Sequence, residues 1–172
     1  IIRGGDDIRL FDTPLLLCRN YGLTFEQQII KRIFDIIFSV ILLVLSSPVM
    51  LISALAVKIY DRGSVFYKQK RLTIDGKEFY VYKFRSMIAN AEKEGIKLAT
   101  ENDSRITPVG KILRKFRIDE LPQLLNILKG DMSVVGPRPE RPELTELYKQ
   151  RMPEFEFRLK VKAGLTGYAQ VT

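Results

Sequence analysis

Ile33-Phe-Asp-Ile-Ile-Phe-Ser-Val-Ile-Leu-Leu-Val-Leu-Ser-Ser-Pro-Val-Met-Leu-Ile-Ser-Ala-Leu-Ala-Val57 is the stretch on which the architecture turns. Its only charged residue is Asp35. As one helix it would be roughly 38 Å long, enough to cross a bilayer. It is apolar on every face, whereas a helix lying on a soluble core carries a one-sided stripe. Ser46-Ser47-Pro48 sits near its middle. Proline removes one helical hydrogen bond and crowds the preceding turn, so the helix kinks or breaks there. The serine hydroxyls are suited to satisfy the carbonyl set free. Both flanks are basic: Lys31 and Arg32 precede the run, and Lys58, Arg62, Lys68, Lys70 and Arg71 follow it. Basic flanks prefer the cytoplasmic side. A kinked membrane span and a re-entrant helix-break-helix both fit the composition. The matching flanks favour the second, with residues 29–60 as a membrane re-entrant segment broken at Ser47 and Pro48.

Outward from this run, residues 1–28 read as a linker and the tail of an upstream domain. Downstream, Val65-Phe66-Tyr67 and Phe79-Tyr80-Val81-Tyr82 are aromatic and β-branched, and Asp75-Gly76 between them is a turn dipeptide, so a β-hairpin is expected. Ser86 is placed to cap a helix over 87–94 with Gly95 as its stop. A polar loop covers 101–104. Thr107-Pro108 has the cap and first-residue pattern of a helix start. A further helix is expected over 120–128, ending at Gly130, and another over 143–150. Met132 to Val135 is short and apolar, Gly136-Pro137-Arg138-Pro139 is a stiff extended loop, and Gly164-Leu165-Thr166-Gly167 resembles a turn. The expected fold class is α+β: a membrane re-entrant helix-break-helix, a small β-hairpin and amphipathic interfacial helices.

The composition excludes several chemistries. None of the 172 residues is histidine, which removes the commonest general base, the Ser-His-Asp triad and most zinc sites. No P-loop and no Gly-x-Ser-x-Gly elbow is present. The single cysteine, Cys18, cannot form an internal disulfide, which fits a reducing compartment. The formal net charge is +8, and Lys58 to Ile118 contains 15 Lys and Arg against 7 Asp and Glu, so this segment holds the whole excess. A basic surface next to an apolar segment suits lipid headgroups and phosphate substrates. Nucleic-acid binding would explain the charge but not the apolar segment.

Three places could carry chemistry. In Arg114-Lys-Phe-Arg-Ile-Asp-Glu-Leu-Pro-Gln123, Asp119 and Glu120 are adjacent carboxylates at a helix start, where unpaired backbone N–H groups favour an anion. One carboxylate could attack phosphorus while the other holds Mg²⁺. Equally, Asp119 could be a plain helix cap and Glu120 a first-turn acid. In Gly136-Pro137-Arg138-Pro139-Glu140, two prolines fix the backbone around one arginine, which suits a phosphate or nucleotide but also describes a surface turn. In Lys83-Phe84-Arg85, strand alternation would put Lys83 and Arg85 on one face, as in any amphipathic strand edge.

Taken in order, these motifs resemble the bacterial sugar transferases, the monotopic polyprenyl-phosphate phosphoglycosyltransferases. The resemblance covers roughly 29–172. It rests on Lys31-Arg32-x-x-Asp35, Ser47-Pro48, Lys83-Phe84-Arg85-Ser86-Met87, Asp119-Glu120-Leu121-Pro122-Gln123, Gly136-Pro137-Arg138-Pro139-Glu140 and Lys162-Ala163-Gly164-Leu165-Thr166-Gly167. It implies that 29–172 is a catalytic domain, short at its C-terminus relative to the family. It also implies transfer of a sugar-1-phosphate from a UDP-sugar to polyprenyl (undecaprenyl) phosphate, with release of UMP. This is the priming step of exopolysaccharide, capsule or O-antigen synthesis. Asp119 would be the nucleophile and Glu120 the Mg²⁺ ligand. Arg114 and Arg138, with Lys83 and Arg85, would contact phosphate or nucleotide. The implied location is the cytoplasmic face of the bacterial inner membrane, with membrane lipid as a partner. Two other readings compete: a non-catalytic polybasic membrane-docking scaffold, and an aspartyl-phosphate phosphatase. Against the phosphatase, Asp119 is followed by Glu120 and Leu121 rather than forming Asp-x-Asp.

Overall fold

The structure, a computed structural model, describes residues 5–10, 13–18, 23–88, 91 and 103–167. It divides into two compact units, Ile1–Ile33 and Phe34–Thr172. In the first, β1 (Gly5–Leu10) and β2 (Thr13–Cys18) form an antiparallel hairpin. Helix α1 (Phe25–Asp61) begins there on a reciprocal capping box. Thr24 Oγ1 accepts from Gln27 N–H at 3.3 Å, and Gln27 Oε1 accepts from Thr24 N–H at 3.1 Å. The sequence pattern Thr-x-x-Gln was there to be seen, and it starts the helix four residues before the expected segment.

Helix α1 is assigned as one helix through Pro48, without the full break expected there. Pro48 has no N–H to give to the carbonyl four residues back, that of Val44. Ser47 Oγ donates to this carbonyl at 2.8 Å, so the group freed by proline is satisfied within the helix. Large apolar side chains along α1 are exposed, including Val44, Leu45, Leu51 and Ile52. By length and composition the helix could cross a membrane, with a mean hydropathy of 2.6 in its most apolar window.

The second unit is built around the hairpin β3 (Phe66–Leu72) and β4 (Glu78–Phe84), paired antiparallel with Phe66 opposite Phe84 and Leu72 opposite Glu78. Asp75 and Gly76 turn the chain with φ of 56° and 70°, as the Asp-Gly signal requires. Strand β4 alternates cleanly. Phe79 and Val81 enter a core with Leu124, Ile127, Met132, Val134 and Ala163, and Leu42 and Leu43 of α1 pack on it. Phe84, on the opposite face, joins Val57 of α1 and Leu113 in a second cluster, with Met50 and Ala54 against it. Thus α1 meets the second unit's cores on both sides of Pro48.

Helix α2 (Pro108–Lys115) starts as expected: Thr107 Oγ1 accepts from Gly110 N–H at 2.9 Å, with Pro108 as first residue. Only part of the expected 87–94 helix lies within the described residues, and that part is not helical. Met87 pairs with Ile106 as an antiparallel bridge, so Ser86 leads into extended chain rather than capping a helix. Its carbonyl instead accepts from Thr107 N–H. The expected 120–128 helix is a 3-10 turn, Ile118–Gln123, followed by α3 (Leu124–Lys129), which ends at Gly130 in the left-handed conformation. Helix α4 spans Pro142–Arg151. A 3-10 segment, Pro153–Lys160, follows it.

The apolar run after Gly130 becomes β5 (Ser133–Val135), which pairs in parallel with β6 (Gly164–Thr166). The Gly164 run is therefore a strand and not a turn. Its glycine serves close approach: a Cβ at Gly164 would overlap the Gly136 backbone, and one at Gly136 would overlap the Lys162 carbonyl. Strand β5 is also tied to α1. The buried Asp35 carboxylate accepts from Ser133 Oγ at 2.8 Å and from Val134 N–H at 2.9 Å.

The outer edge of β4 is closed by a side chain. Asn126, fully buried in α3, accepts from Tyr82 N–H at 3.0 Å and donates to the Tyr80 carbonyl at 2.8 Å. Asn126→Leu keeps the branched heavy-atom skeleton and strands both backbone groups. It is expected to destabilise the fold by about 2–4 kcal/mol, measured by denaturant unfolding in detergent.

Candidate active site

Arg117 ends the α2 segment with φ of 56°. A left-handed arginine costs on the order of 1 kcal/mol or more, and such strain gathers at functional sites. Here it reverses the chain, so that Asp119 and Glu120 return beneath β4, both buried. Alternation along β4 puts Lys83 on the same face as Phe79 and Val81, at the rim of the core. Its ammonium donates to Glu120 Oε1 at 2.8 Å. Arg138 NH2 donates to the same oxygen at 3.1 Å, and Arg117 NH1 lies 3.8 Å from Oε2. Three cations therefore surround one carboxylate. The cations around Glu120 are side chains, and the Glu120 N–H is itself bonded to the Arg117 carbonyl.

Arg114 Nε donates to Ser86 Oγ at 2.8 Å, which orients its guanidinium. The two acids respond in opposite directions. Burial raises the Asp119 carboxyl above the ordinary aspartate range, aided by the Glu120 charge and opposed by Lys83 and Arg114. For Glu120, burial is again the largest influence and pushes upward, but Lys83 and Arg138 together outweigh it and hold the carboxyl low. Lys83 is held below the usual lysine value by burial, with Glu120 pulling it back.

Arg138 sits on a loop whose backbone is held residue by residue. The Pro137 carbonyl accepts from Gly164 N–H at 2.9 Å, and that of Arg138 from Arg158 NH2 at 2.9 Å. The Pro139 carbonyl accepts from Arg71 NH1 at 3.1 Å, and that of Glu140 from Leu72 N–H at 2.9 Å. The stiffness expected from two prolines is thus reinforced by three other segments. The cleft in front is lined by Arg71, Val81, Lys83, Glu120, Gln123, Arg138, Pro139, Gly164 and Leu165.

Of the residues singled out from sequence, Lys83, Glu120 and Arg138 meet directly, Asp119 adjoins them, and the Arg114 charge acts on Asp119. Arg85 does not join them. Strand β4 ends at Phe84, so the alternation stops before Arg85, which lies over Gly63 with NH2 2.9 Å from Asp61 Oδ2 at the end of α1. Ser47 and Pro48 lie on α1. Arg71 and Gln123 went unremarked as site residues, because their place depends on contacts distant in sequence.

Among the described residues, no group of three or more His, Cys, Asp or Glu gathers as a metal cage. Magnesium does not need one: it binds through one or two carboxylates and completes its octahedron with water and substrate phosphate. Glu120 Oε2, approached only loosely by Arg117, together with neighbouring Asp119, fits that mode.

A buried carboxylate pair thus lies beside Lys83 and Arg138, in a body that carries a long apolar helix. The bacterial sugar transferase family matches residues 26–172. The chain is 45% identical over 142 residues to an Aeromonas hydrophila UDP-N-acetylgalactosamine-undecaprenyl-phosphate N-acetylgalactosaminephosphotransferase, covering 83% of this chain and 34% of that protein. It is 44% identical over 170 residues to a Klebsiella pneumoniae UDP-glucose:undecaprenyl-phosphate glucose-1-phosphate transferase, covering 99% and 35%. The Escherichia coli K12 protein of the same description is 42% identical over 164 residues, covering 95% and 34%. The chain belongs to the bacterial sugar transferase family, and it spans about a third of the length of these relatives.

Lys83→Met removes a charge that lowers the Asp119 pKa, so the titration of the Asp119 carboxyl, followed by NMR, should move to higher pH. The same substitution leaves Glu120 with fewer partners and is expected to cost about 1–3 kcal/mol of stability.

Proposed function

We propose that this chain carries the catalytic machinery of a membrane phosphoglycosyltransferase, which moves a sugar-1-phosphate from a UDP-sugar to undecaprenyl phosphate. The observation that carries the reading is Asp119, buried and free of a direct ion pair among the described residues, next to a Glu120 neutralised by Lys83 and Arg138. An Asp119 oxygen attacks the β-phosphorus of the UDP-sugar. The bond from that phosphorus to the bridging oxygen breaks, and UMP leaves with the bridging oxygen and its electron pair. An acyl phosphate remains, with the phosphosugar bonded to the Asp119 carboxylate. An oxygen of undecaprenyl phosphate then attacks the same phosphorus, and the Asp119 carboxylate departs, giving undecaprenyl diphosphate sugar. One phosphoanhydride is exchanged for another, so little net driving force is needed. Arg114 and Arg138 bind the phosphates and stabilise the charge on the transferring group. Glu120 would hold Mg²⁺, which supplies charge neutralisation on the diphosphate when bound.

The same reading makes α1 a re-entrant helix at the cytoplasmic face of the inner membrane. Leu42 and Leu43 pack on one core and Met50, Ala54 and Val57 on the other, while Val44, Leu45, Ser47, Pro48 and Val49 between them are exposed. An exposed apolar stretch around Pro48, between two stretches that pack on the protein, supports a segment that dips into lipid and returns. Helix α2 exposes Ile112 and Phe116 beside Lys111 and Lys115, which suits an interfacial position.

The test is UMP release by the detergent-purified protein with Mg²⁺, undecaprenyl phosphate and a panel of UDP-sugars. Wild type should release UMP with at least one donor. Asp119→Asn should lower the rate by at least about 10³-fold and fail to trap labelled phosphosugar when the lipid is withheld. Ionisation of Asp119 above its raised pKa works against folding, so at neutral pH this variant should melt no lower than wild type. Equal UMP release by Asp119→Asn would remove it as the nucleophile.

A further inference from the structure

Gln123 is only 3% exposed, yet it lines the cleft beside Lys83, Glu120 and Arg138. It occupies the position before α3, where a polar side chain could cap the helix, but it makes no capping bond. No side-chain hydrogen bond from Gln123 is present among the described residues. A carboxamide has two donors and two acceptor lone pairs. The amide is not sealed among the buried polar atoms that lack a partner, so it opens to the cleft. No contact among the described residues calls for an amide there. A ligand in the cleft would.

We propose that Gln123 is a substrate-contacting residue, whose carboxamide hydrogen-bonds a neutral polar group of the nucleotide-sugar donor. This rests on the transferase reading for the identity of the donor. The charged parts of the substrates already have partners in Lys83, Arg114 and Arg138. The acceptor offers only phosphate and hydrocarbon, with no neutral polar group for an amide to recognise. The donor offers hydroxyls on its sugars and carbonyls on its base, and a group that both donates and accepts suits either.

The experiment compares wild type and Gln123→Met, both in detergent, by calorimetric titration with UDP-glucose, UDP-N-acetylgalactosamine and UMP, alongside their melting temperatures. Methionine keeps the length and removes the amide. Gln123→Met should bind at least one UDP-sugar about tenfold or more weakly, while melting at the same temperature or higher. Unchanged UMP affinity would place the contact on the transferred sugar; a parallel loss would place it on the uridine. Equal affinity of both proteins for all three ligands would overturn the inference alone. So would a fall in melting temperature that accompanies weaker binding, because Gln123 would then be structural. No binding of any of the three by wild type would overturn the transferase reading, and this inference with it.

Discussion

The Asn126 carboxamide holds the site together. Strand β4 has β3 on one edge, and its other edge would leave the Tyr80 carbonyl and the Tyr82 N–H without partners inside the protein. A single side chain fills both, acting as a short piece of strand. Because Asn126 belongs to α3, its two bonds also fix the 3-10 turn before it against β4. Glu120 can then meet Lys83, one residue beyond Tyr82. A buried amide with both bonds made is rigid, and its satisfaction is all-or-none. Register along β4, depth of the carboxylates and reach of Lys83 follow from that one group.

On this frame, two adjacent acids acquire different characters. Both are buried, and burial disfavours charge on each. Glu120 receives Lys83 and Arg138 directly and keeps its charge; Asp119 receives only their field and that of Arg114. A carboxylate locked between cations is a poor nucleophile but a sound electrostatic anchor. Its neighbour is desolvated and without a direct ion pair among the described residues, and it is the one that the proposed transfer uses as nucleophile. Environment divides the labour where side-chain chemistry does not.

Much of this was legible in the sequence where the physics is local. Thr107-Pro108 opens a helix and Asp75-Gly76 turns a hairpin because caps and turns depend on residues a few positions apart. Ser47 beside Pro48 foretold how a freed carbonyl would be satisfied. Reading stopped where placement depends on distant partners. Alternation suggested that Arg85 would follow Lys83, but the strand ends at Phe84 and Asp61 takes the guanidinium. Gly164 looked like a turn residue, whereas it is the point at which two backbones touch. Arg71 and Gln123 carry no local mark of a site; only the fold brings them to the cleft. The pairing of Asn126 with an edge 44 residues away lies outside any local pattern.

The loop that carries Arg138 has a consequence for the order of events in folding. Its four successive carbonyls accept from Gly164, Arg158, Arg71 and Leu72, donors that lie up to about 70 residues away along the chain. None of these bonds forms until β3, β6 and the segment bearing Arg158 have arrived, and contacts of such separation form late. The arginine is therefore set only together with these segments, and a partly unfolded chain carries the acids without the guanidinium that faces them.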